Sequence, residues 1–157
     1  MKYYVYESTI DEKERKFISI VGTEIIFEKG MKKEVIAGEL KEGLELKRDN
    51  FIPNKAFLEV FHGVISREII HDPDAVSEAE KIKEGYVYVI DKRVGNPEGN
   101  INTEDIIGAI QVAKGSLVDN SYHGNPNYCL LTDEGLFQLS DTLETGLLKE
   151  LEKIMES

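Results

Sequence analysis

The alternation of apolar and polar positions divides the chain into a strand-like beginning, a helical middle, a second strand-like region and a final helix. Lys2–Ser8 sets Tyr, Val and Tyr close together, as a strand does, and Asp11 to Arg15 is a charged turn. Lys16–Gly22 and Glu24–Glu28 read as two further strands, or as one long strand bent at Gly22, where a missing side chain permits a bulge. Glu34–Leu40 is another short strand, and Gly43–Asp49 alternates Leu44 and Leu46 with charged residues, as an edge strand with one wet face would. The connections are turn-length, whereas parallel strands need a crossover of about a dozen residues. The spacing therefore predicts an antiparallel β-meander.

Beyond Asn50 the period changes. Phe57, Leu58, Phe61, Val64, Ile65 and Ile69 share one helical face, which predicts a helix from about Pro53 to Ile70. Asp72-Pro73-Asp74 is a fresh helix start, with Asp72 as N-cap and Pro73 in the first turn, and the helix runs through Ala75–Glu84 to a terminating Gly85. Tyr86–Val94 follows. Its Tyr-Val-Tyr-Val-Ile run shows no clear alternation and is read as a central strand buried on both faces. Ile106–Ala113, Leu117–Ser121 and Tyr128–Thr132 complete the strands, with Leu136–Leu139 a short strand or one helical turn. Ser140 is an N-cap candidate, and Leu143, Leu147, Leu148, Leu151, Ile154 and Met155 form the apolar stripe of a helix over Thr142–Glu156. The expected fold class is α+β: a mainly antiparallel sheet, an N-terminal meander plus C-terminal strands, with two central helices and one C-terminal helix packed on it. No repeat or linker divides residues 1–157, so one α+β domain is expected.

Charge adds an asymmetry. The net charge is −11; residues 1–50 carry ten Lys/Arg against eleven Asp/Glu, and residues 51–157 carry nine against nineteen. Between Gly95 and Leu147 the only basic residue is Lys114, against eight acids: Glu98, Glu104, Asp105, Asp119, Asp133, Glu134, Asp141 and Glu144. Such a field repels nucleic-acid phosphates and anionic lipid, and attracts a basic protein. No apolar run approaches the roughly 20 residues needed to cross a bilayer, and the N-terminus has no signal-like apolar stretch, so a cytoplasmic location is the expectation. A single cysteine, Cys129, can form neither an internal disulfide nor a cysteine-based zinc cluster.

Candidate chemistry is sparse. Cys129 and His123 lie six positions apart and would make a thiolate–imidazole site if brought within hydrogen-bond reach. His62, His71 and His123 lack metal-ligand spacing, and the loop Gly95 to Asp105 lacks both the alternating acids of a calcium site and the Gly-Lys-Ser/Thr of a phosphate loop, so no metal or cofactor is expected. The loop Asp119–Tyr128 is richer. Tyr122 and Tyr128 offer rigid area with a polar tip, and Asn125 and Asn127 offer adaptable hydrogen bonds. The expected function is a non-catalytic acidic binding protein that docks a basic protein partner, in one concrete form an immunity or inhibitor protein of a toxin such as a nuclease. Its expected contact set is Glu98, Glu104, Asp105, Asp119, Tyr122, His123, Asn127, Tyr128, Asp133 and Glu134. The alternative is a small enzyme or small-molecule binder using Cys129 and His123.

Overall fold

The computed structural model describes residues 1–95 and 98–157. Its first sheet is the expected meander. Strands β1 (Tyr4–Ile10), β2 (Lys13–Ser19), β3 (Gly38–Leu40) and β4 (Phe51–Pro53) pair antiparallel in sequence order. The β1–β2 turn puts Asp11 and Glu12 at φ 53° and 65°, the left-handed pair that a two-residue hairpin loop requires. At Gly38 a Cβ would stand 2.2 Å from the Phe51 ring and 2.5 Å from the Ile52 carbonyl, so β3 meets β4 there only as glycine.

Two expectations in this half are corrected. Glu24–Glu28 is not a strand but lies in helix α1 (Thr23–Lys29). The ladder ends just before it, because Val21 N–H is taken by Ser19 Oγ and Val21 C=O by the Tyr6 hydroxyl. The helix then starts with Glu24 in its first turn and ends at Gly30 with φ 81°. Gly43–Asp49 pairs with no described strand; Asn50 folds it over instead, its side chain donating to the carbonyls of Glu42 and Glu45, and the sheet's fourth strand is β4.

The helical middle is α2 (Lys55–Glu68), a 3₁₀ turn over Ile69–His71, and α3 (Pro73–Ile82). Pro53 ends β4 rather than opening α2, whose cap is Asn54, while Asp72 caps α3 as expected by accepting from Ala75 N. The terminator of α3 is Lys83 at φ 71°, two residues ahead of Gly85. The second sheet follows: β5 (Gly85–Ile90), β6 (Ile106–Ala113), β7 (Ser116–Leu117) and β8 (His123–Gly124), with β7 and β8 both pairing the far side of β6. A separate short ribbon joins β9 (Leu131–Thr132) to β10 (Gly135–Leu136), and α4 (Asp141–Glu156) closes the chain behind its Ser140 cap.

Leu143, Leu147, Leu151 and Met155 of α4 are all buried, one above the other at intervals of four. Each such side chain contributes roughly 1.5–3 kcal/mol by leaving water. They meet Phe57, Phe61, Val64 and Ile65 of α2 in one apolar cluster that also takes in Ile18 and Leu40 of the first sheet and Val87, Val89 and Ile110 of the second. The class is α+β, with four described helices and antiparallel sheets around that cluster. No described helix is long and apolar enough to cross a membrane.

Candidate docking site

Strand β5 is an edge, not the centre of its sheet. Val87 and Val89 point to the core at 5% and 7% exposure, while Tyr86 and Tyr88 stand in solvent at 51% and 60%. The alternation is that of a half-buried strand whose tyrosines form the outer face. Tyr88 pairs with Ala109 of β6, which pairs with His123 of β8, so these three residues form one row across that face.

A cavity of about 390 Å³ runs beside the strand. Its walls include five consecutive β5 residues, Tyr86 to Ile90, and from α3 the residues Ala75, Glu78 and Ile82, which lie on one helical face. Because consecutive rather than alternate strand residues line it, the groove reaches both faces or the backbone of β5 and not its inner side chains alone. Ile69, Leu139 and Leu143 contribute apolar surface. Four carboxylates, Asp72, Asp74, Glu78 and Glu98, line it too. Among the described residues the one cationic lining group is Lys92, whose Nζ lies 3.1 Å from Asp74 Oδ2.

Below the end of β5 lies a buried polar hub. The Arg93 side chain is 2% exposed. Its Nε donates to Asp105 Oδ1 at 2.9 Å, Nη1 to the carbonyls of Leu130 and Gly135, and Nη2 to those of Glu104 and Cys129. Asp91 accepts from the backbone N–H groups of Arg93 and Gln138 through Oδ1, and from the Tyr128 hydroxyl at 2.6 Å through Oδ2. Burial raises the Asp91 carboxyl above the ordinary carboxylate range, against the pull of those donors and of the guanidinium. Tyr128 is raised well above its usual value, first by burial and then by the Asp91 charge, so the phenol keeps its proton. Among the described residues every buried side-chain nitrogen and oxygen has a partner. The hub thus fastens the segments around 91–93, 104–105 and 128–138 to one another.

A second polar pair joins α2 to the 119–128 loop. The Tyr122 hydroxyl lies 2.8 Å from His62 Nδ1. Burial lowers the His62 pKa and raises that of Tyr122, so a neutral imidazole and a neutral phenol share this hydrogen bond. Space there is tight: a Cβ on Gly124 would lie 2.8 Å from His62 Nδ1, and one on Gly108 2.6 Å from the Tyr122 hydroxyl.

The expected contact residues are not gathered into one platform. Asp105 and Tyr128 face inward, at 6% and 8% exposure, and belong to the Arg93 hub; Tyr122 is half-buried against His62. Glu104 is paired with Arg48 at 2.5 Å, and Asp133 shares a surface cleft with Lys47 and Arg48, so cations from the N-terminal half meet that part of the acidic surface. Asp119 follows Val118, whose N–H donates to the Gln111 carbonyl in the second half of β6, whereas Glu104 precedes the first residue of that strand. Asn127 and Glu134 are exposed in their own turns. Glu98 alone of the ten lines the groove, and His123 lies in the outer-face row; of the loop holding Glu98, Asn96 and Pro97 lie outside the described residues.

Nor do Cys129 and His123 form a pair. The Cys129 thiol has its contact at the Asn127 carbonyl, 3.7 Å away, while His123 is held in β8 opposite Ala109. The residues that build the groove, Tyr86, Tyr88 and Glu78, are absent from the sequence-derived set. The Tyr-Val-Tyr-Val alternation was the available signal: tyrosines with wet hydroxyls on one side, valines on the other. No protein-family model, curated protein or solved structure matches this chain.

Proposed function

We propose that this chain is a non-catalytic binding protein that docks a basic protein partner, and that the contact centres on the outer face of β5 and its groove with α3. The supporting observation is the pair of half-exposed tyrosines, Tyr86 and Tyr88, beside a groove lined by Asp74, Glu78 and Glu98. Aromatic residues with polar tips hold protein interfaces, and carboxylates around them speed encounter with a cationic surface and disfavour acidic competitors. A net charge of −11 acts in the same direction at longer range. In its most concrete form the protein is an immunity or inhibitor protein whose partner is a toxin, such as a nuclease with a cationic phosphate-holding surface.

The test is capture of a partner by immobilised protein from a lysate of its own source cell, at 50 and 500 mM salt. Retention of a basic protein at low salt, weakened at high salt as the screening length shortens, is the expected result. If no basic protein is held even at low salt, the reading fails.

A further inference from the structure

We infer that the β5–α3 groove takes an extended segment of the partner as an added β-strand. This rests on the reading above, a basic protein partner, and names how and where its chain is held. Edge strands expose a row of unpaired N–H and C=O groups, and an extended peptide that pairs with them gains backbone hydrogen bonds while alternate side chains enter flanking pockets. β5 supplies such an edge: β6 takes one side, and no described strand pairs with the other. The groove is lined by Tyr86 to Ile90, a stretch of roughly 17 Å at strand rise that matches about five peptide residues. Helix α3 lines the same groove through Ala75, Glu78 and Ile82.

The same geometry sets the ligand's chemistry. A strand added to β5 turns alternate side chains to the two faces of the sheet. On the inner face, beside Val87 and Val89, the surroundings are Ile69, Ala75 and Leu143, which suit aliphatic side chains. On the outer face the neighbours are the rings of Tyr86 and Tyr88, where Lys or Arg gains cation–π contact, and the acids that line the groove attract the same cations. The occupant is therefore a segment alternating aliphatic and basic residues.

The probes are synthetic octapeptides at 150 mM salt, followed by amide chemical shifts of the isotope-labelled protein: alternating Lys and Val, alternating Glu and Val, and two Lys/Val forms N-methylated on one or the other alternate set of backbone nitrogens. The Lys/Val peptide is expected to shift the amides of Tyr86–Ile90 and of α3, and the Glu/Val peptide to bind at least tenfold more weakly. N-methylation of one set should weaken binding at least tenfold while the other set leaves it unchanged, because an added strand points only every second N–H at its neighbour. Glu78→Lys, an exposed change on the groove wall, should weaken the Lys/Val peptide severalfold.

Several results would overturn the inference: no binding, shifts confined to other acidic surface, or both N-methylated forms binding like the parent. So would concentration-dependent shifts of the β5 amides without peptide, which assign the edge to a second copy of the chain. If a basic protein is still captured from lysate in those cases, docking stands and strand addition falls; if capture fails as well, both fall.

Discussion

Arg93 keeps a permanent cation at 2% side-chain exposure by pairing with Asp105 and four backbone carbonyls. Lysine there has three donors on a flexible stem and cannot reproduce that planar fork. Arg93→Lys is expected to destabilise the protein by about 3–5 kcal/mol in urea unfolding, the range for breaking a buried pair. No local pattern announced this residue, because its acceptors lie 11 to 42 positions away in sequence. The caps Asp72 and Ser140 were legible for the opposite reason: each bonds an N–H three residues on. His62 gives a pH prediction. Its folded pKa lies below the ordinary value of about 6.5, so below that pH the unfolded chain binds a proton that the folded one refuses. Stability therefore falls as pH drops through 6.5 toward the depressed value, by at most about 1.4 kcal/mol per pH unit from this group. Asp91, shifted upward, works in the opposite direction, so the readout is the difference from His62→Asn, which keeps a hydrogen-bonding group near Nδ1 but cannot titrate. Urea midpoints at pH 7 and 5.5 should differ less in the variant than in the parent.

At the scale of elements, the long helices were readable because their apolar stripes persist over several turns, as from Leu143 to Met155. Short elements were not. Ile25 and Ile26 read as strand, yet the chain had already left the ladder at Val21, and Phe27 stands 82% exposed on α1. Two glycines separate packing from propensity. Gly124 is where β8 passes His62, and a Cβ would press on the imidazole at 2.8 Å. Gly124→Ala should cost about 1–3 kcal/mol, as overpacking does, and perturb the His62–Tyr122 pair in imidazole chemical shifts. Gly63, inside α2, has open space where its Cβ would stand. Gly63→Ala should stabilise by about 1 kcal/mol through helix propensity alone. Equal effects of the two changes in urea unfolding would contradict this assignment.

For the whole molecule, the α+β class was legible from the order of periodic segments, whereas the platform was not. Charge counted along a sequence ignores which cations fold against it: Arg48 and Lys47 come from the N-terminal half to meet Glu104 and the surface around Asp133. The Asn- and Tyr-rich loop looked like a contact surface, but Tyr128 lies under it, bound to Asp91. What survives as an acidic, aromatic surface is the side of β5 and α3, identified only once β5 is known to be an edge. The most direct measurement compares partner capture by the parent, by Tyr86→Ser/Tyr88→Ser and by Asp119→Ser/Glu134→Ser, all exposed positions whose loss leaves the core intact. The tyrosine variant is expected to release the basic partner, with at least a tenfold loss of affinity, while the loop variant holds it like the parent. Unimpaired capture by the tyrosine variant, with loss in the loop variant, would move the docking surface away from β5 and contradict the account.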